Sequence, residues 1–146
     1  MKKSRIYLIP GCGQRSEEYD LLLEMLNRRD FEIKHVRIDW MRNSLRAYIE
    51  EGRGQLDDSL EGDIILGFSY GGNVGLVADS LARKVCCSTP DLTEKGKRKV
   101  FDLLTRSAGV LLDWEEVDKM DLDPKIIQSL TFVAGSEEKM YSRFAQ

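Results

Sequence analysis

The sequence has 146 residues, 42% of them hydrophobic and 32% charged, with a formal net charge of −3. That is one domain's worth of chain, able to bury roughly two-thirds of its unfolded surface and too apolar to stay disordered. Acidic and basic residues are interspersed, which excludes the one-sided basic surface that nucleic acid or an anionic membrane demands.

No segment approaches the roughly 18 apolar residues of a membrane span, and the apolar run before Cys12 is far too short for an export signal. Cys12, Cys86 and Cys87 are odd in number, and adjacent Cys86 and Cys87 point to opposite faces of a strand. No disulfide framework is implied, so a reducing cytoplasm is the expected compartment. One histidine and scattered acids give neither zinc nor calcium spacing, so no metal and no cofactor are expected.

Arg5 to Ile9 reads as a buried strand ended by Pro10-Gly11-Cys12-Gly13. Ser16 is placed to cap a helix in which Tyr19, Leu22, Leu23 and Leu26 recur at helical spacing. Phe31 to Ile38 alternates with period two, as an edge strand exposed on one face does. A helix opened by Ser44 and carrying Leu45, Tyr48 and Ile49 is expected to be interrupted at Gly52 and Gly54.

Ile64 to Leu66 then forms a strand that runs into Gly67-Phe68-Ser69-Tyr70-Gly71-Gly72, with a helix expected from Asn73 to Arg83 and Val74, Val77, Ala78 and Leu81 inward. A Gly-x-Ser-x-Gly turn between a strand and a helix is a nucleophile elbow. It holds the serine in a strained conformation with its hydroxyl exposed above the sheet, beside helix N–H groups suited to an oxyanion. The flanking glycines leave room where strand and helix cross.

Lys84 to Ser88 reads as a fourth strand, stopped by Pro90. Lys95 to Lys99 is a solvated helix start. Lys99 to Arg106 has helical character, and Asp113 with Glu116 has the spacing of a helix start. Leu130 to Ala134 is a fifth strand. Strands alternating with helices predict an α/β domain over residues 1–146: a doubly wound, mainly parallel five-stranded sheet with helices on both faces. Right-handed crossovers gather the strand ends on one edge, where ligands bind.

The Pro10-Gly11-Cys12-Gly13 turn after the first strand, the Gly-Phe-Ser-Tyr-Gly-Gly turn after the third and Gly135-Ser136-Glu137-Glu138 after the fifth together resemble the α/β-hydrolase family, particularly its small single-domain members. The resemblance implies Ser69 as nucleophile and the backbone N–H groups of Cys12 and Tyr70 as the oxyanion hole. It implies Glu138 as the acid, with Asp91 as the alternative acid. It also implies residues 91–128 as a helical lid-like insertion. In this family the catalytic histidine follows the acid after one more strand. The sequence given stops eight residues after Glu138, so the expected core lacks its last strand. The sole histidine, His35, sits in the second strand, before the nucleophile.

Loss of the base costs a serine hydrolase about 10⁶ in turnover. The expectation is therefore an esterase- or thioesterase-type site of weak or absent activity toward a small ester or acyl ligand, in a chain either shortened or no longer catalytic. One alternative is a non-catalytic ligand-binding or interaction protein on the same fold, self-associating through its exposed sheet edge. In that reading Val110, Leu111, Leu112 and Trp114 line a small apolar cavity or serve as ordinary core. The other alternative is a nucleotide-binding domain, with Gly11-Cys12-Gly13 as the phosphate loop and Asp39 as the ribose-binding acid.

Overall fold

A computed structural model describes residues 3–41, 45–76, 78–89, 96, 98–99, 114–115 and 131–133. The strands are β1 (Arg5–Ile9), β2 (Glu32–His35), β3 (Ile64–Phe68), β4 (Arg83–Cys87) and β5 (Thr131–Val133), and the helices are α1 (Asp20–Asn27), α2 (Leu45–Gly54) and α3 (Tyr70–Leu76). All strand pairs are parallel, in the order β2-β1-β3-β4-β5. This is an α/β domain with a parallel sheet, as expected.

β1 lies between β2 and β3, and all five of its residues are buried. A strand covered on both faces has no reason to alternate, and Ile6-Tyr7-Leu8-Ile9 does not. β2, at the edge, alternates exposed and half-buried positions. The faces follow from the pleat. Tyr7, Ile9 and Ile65 join Val36, Tyr48, Ile49 and Val74 in one buried cluster, so α2 and α3 cover that face. Phe68 projects to the other face, where Tyr19, just before α1, stacks on it with ring centroids 4.7 Å apart.

β2 stops at His35, short of the expected Ile38, and three helical elements also differ from the pattern. α2 runs through Gly52 instead of breaking there, because the absent side chain lets the helix touch α3. A Cβ at position 52 would lie 2.3 Å from Val74 Cγ1. α3 ends at Leu76, not at Arg83, and Leu81, expected inward, is 82% exposed. The half-buried Lys84 ammonium donates to the carbonyls of Ala78 and, at 3.5 Å, Leu76, satisfying the helix end with a cation where the dipole favours one. Ser16 does not cap α1. It is buried in a 3-10 turn at Ser16–Glu18, and α1 begins four residues later.

The expected lid at 91–128 falls almost wholly outside the described residues, as do Ser44 and Val77. Among the described residues no helix is long and apolar enough to cross a membrane, and no group of three or more His, Cys, Asp or Glu could hold a metal ion.

The chain leaves β1 toward β2, then crosses back to β3 on the other side. The crevice between the carboxyl ends of β1 and β3 is thus the topological switch point, where doubly wound sheets bind ligands. The turns opening from those two strands are Gly11–Gln14 and Ser69–Gly72.

Candidate active site at the end of the third strand

Ser69 follows the last residue of β3 and precedes the first of α3. Its φ is 51°, in the left-handed region that side chains avoid. The turn is pinned from both sides. The Ser69 N–H donates to the Cys87 carbonyl at 2.9 Å, and the Ser69 carbonyl accepts from the Gly72 N–H at 3.0 Å. A Cβ at Gly67 would meet the Gly71 carbonyl oxygen at 2.6 Å, and one at Gly71 would meet the Pro10 carbonyl oxygen at 2.3 Å. These are backbone atoms that cannot step aside, so the glycines fix how closely β3, α3 and the first loop approach. The Ser69 side chain is partly exposed and makes no hydrogen bond among the described residues.

The first loop comes to the serine. A Cβ on Gly11 would lie 3.4 Å from Ser69 Cβ and 3.6 Å from the Phe68 carbonyl oxygen. Gln14 N–H donates to the Gly11 carbonyl at 3.0 Å, and Gly13, with φ 75°, occupies the third position, which a type II turn reserves for glycine. The Gly11 N–H is taken by the Tyr19 hydroxyl oxygen at 3.0 Å, and that hydroxyl donates to Gln14 Oε1 at 2.6 Å. The Cys12 N–H makes no hydrogen bond among the described residues. Tyr70 opens α3, its ring buried in the core cluster with Trp40 and Tyr48. Cys12 packs on the same cluster, and burial pushes its thiol up to about 11, so it stays protonated near neutrality.

His35 is held elsewhere. Its Nδ1 lies 2.8 Å from the Ser16 hydroxyl. Its register partner is Leu8, on the face away from Ile9 and Ile65, so its ring lies across the sheet from α3. Both acid candidates, Glu138 and Asp91, lie outside the described residues. Among the described residues all three cysteines are free thiols, Cys86 buried and Cys87 half-buried on opposite faces.

The nucleotide-binding alternative expects an α-helix to open on the Gly11–Gly13 loop and Asp39 to end the second strand. A 3-10 turn and Tyr19 intervene between the Gly11–Gly13 turn and α1, so no helix opens on that loop. Asp39 lies beyond the end of β2, its Oδ1 accepting from the Met41 N–H at 3.1 Å.

Thr89 belongs to the edge on which the sequence gathers the strand ends. Ser88, with φ 48°, bends the chain after β4 so that Thr89, 2% exposed, sits against α3, where a Cβ at Gly72 would be 1.7 Å from its Oγ1. No protein-family model matches the chain, and no curated protein matches it significantly. The strand order is shared by doubly wound domains of unrelated function, so the residues at the switch point must carry the functional argument.

Proposed function

We propose that the chain is an α/β-hydrolase-like domain whose site is of the serine acyl-transfer type, with Ser69 as nucleophile toward a small ester, thioester or other acyl compound. The observation that carries this reading is the left-handed Ser69 wedged between β3 and α3, with Gly11 of the first loop against it. Strain at a partly exposed hydroxyl, beside a helix start and a second loop of backbone amides, is the arrangement acyl transfer uses. The Cys12 and Tyr70 N–H groups are assigned to the oxyanion, and Glu138, or alternatively Asp91, to the acid.

The sole imidazole in these 146 residues is engaged with Ser16 on the opposite face, so in this chain by itself proton removal from Ser69 falls to water or buffer. The test is reaction of the purified chain with an alkyl fluorophosphonate, read by intact mass and peptide mapping. The expected result is slow phosphonylation of Ser69 that added imidazole accelerates and Ser69→Ala abolishes. Modification elsewhere only, or none at any imidazole concentration, would overturn the assignment.

A further inference from the structure

Beside the first loop, a cleft of about 290 Å³ opens between the turn after β1 and the residues after β2. Its apolar lining is Pro10, Val36 and Ile38, and its polar lining includes Ser16, Arg15 and Arg37. Pro10 directly precedes Gly11, the residue that approaches Ser69, so the cleft and the serine share one loop.

Arg37 is paired with Glu17, and both its backbone groups are held by the Gln55 amide: N–H to Oε1 at 2.7 Å, and carbonyl from Nε2 at 2.6 Å. The Glu18 carboxylate accepts from the Arg15 backbone N–H at 2.9 Å. The Arg15 guanidinium has no ion-pair partner among the described residues. The Ser16 hydroxyl is engaged by His35. A cavity with three apolar side chains, a fixed arginine and an uncommitted one suits a short aliphatic group that ends in an anion.

From this cleft we infer the substrate class of the proposed site: an acyl compound whose far end carries a carboxylate or phosphate, bound by Arg15 and Arg37 while its carbonyl lies at Ser69. The inference rests on the serine acyl-transfer reading, and its test separates the two.

The first arm measures binding alone. Glutarate and inorganic phosphate are titrated separately into the ¹⁵N-labelled chain, and amide shifts are followed at residues 14–18 and 37–38. Saturable shifts there, absent in Arg15→Gln and partly kept in Arg15→Lys, are expected. The stronger of the two ions tells a carboxylate-ended from a phosphate-ended ligand. No shift at those amides with either ion overturns the inference.

The second arm compares acylation of Ser69 by p-nitrophenyl butyrate and by the p-nitrophenyl monoester of glutaric acid. In each, the Ser69 Oγ–acyl bond forms as the bond to p-nitrophenolate breaks, and the hydroxyl proton goes to buffer. The charged ester is expected to react about tenfold faster relative to the neutral one, a preference that Arg15→Gln removes. Equal rates with intact neutral acylation overturn the substrate class and leave the nucleophile standing. Anion shifts without acylation by either ester overturn the nucleophile and leave an anion-binding cleft.

Discussion

The guanidinium of Arg5 grips the carboxylate of Asp63 at the end of the sheet opposite Ser69, with Nη2 and Nε 2.6 and 3.1 Å from Oδ2. Both side chains are buried, 7% and 6% exposed, and the Arg5 N–H also donates to Asp63 Oδ1 at 3.0 Å. Asp58 closes the group, accepting from Arg5 Nη1 and from the Tyr7 hydroxyl, each at 2.7 Å. The start of β1 is thereby tied to the residue just before β3.

This cluster predicts an acid-sensitive stability. Burial pushes the Asp63 carboxyl up, but hydrogen bonds from Arg5 and from the Leu60 and Arg5 N–H groups outweigh it and hold the group below its ordinary range. The Tyr7 hydroxyl holds Asp58 low in the same way. With folded values below unfolded ones, the stabilisation is complete above the unfolded carboxylate value, about 3.9, and is lost as pH falls through the lower folded values. Asp63→Asn should lower the urea midpoint at pH 7, and its gap from the parent should close progressively below about pH 4. A gap independent of pH would contradict this.

Replacing Ser69 separates strain from chemistry. Glycine accepts φ 51° freely, whereas serine and alanine do not. Ser69→Gly should raise stability by about 0.5–1 kcal/mol, while Ser69→Ala should not, and both should abolish phosphonylation. Chemical denaturation of the three chains checks it.

The contact between α2 and α3 predicts non-additivity. Gly52→Ala drives a methyl into Val74, which is fully buried, and should cost about 1–3 kcal/mol. Val74→Ala opens the space that methyl needs. The double variant should therefore be more stable than the sum of the single effects predicts, by about 0.5 kcal/mol or more, in a double-mutant cycle.

Ser16→Ala tests the role given to His35. Losing the buried hydroxyl should cost about 1 kcal/mol, as an ordinary internal hydrogen bond does. The rate of Ser69 phosphonylation should not move. A falling rate would show that His35 reaches the serine after all.

The parts of this fold that announce themselves in sequence are those with local chemistry. The Gly67–Gly72 run is legible because the strand-to-helix turn it makes is a local pattern, even though Gly71 and Gly72 answer the distant Pro10 and Thr89, and β1 because four consecutive large residues suit a doubly covered strand. Arg5 and Asp63 are not legible as a pair. They lie 58 residues apart, and a charged residue at a strand's start reads equally well as its solvated end. The length of α3 is not legible because Leu81 falls on the helical period, whereas the group that caps its end, the Lys84 ammonium on the Ala78 and Leu76 carbonyls, belongs to the next strand. Gly52 reads as a breaker because a glycine's cost to a helix is local and its benefit, contact with Val74, is not. Glu138 and Asp91 rest on the family resemblance alone.

The carbonyl of Pro10 stands where a side chain at position 71 would have to go. The loop that faces the serine and the helix that follows it are therefore seated against each other through bare backbone, with no side chain between them to absorb a shift. A change in the sequence that moved either one would displace the hydroxyl and the amides opposite it together. Drift in this corner should thus move the Ser69 turn and unsettle the sheet in a single step, whereas the exposed surface around Arg15 is free to vary without that cost.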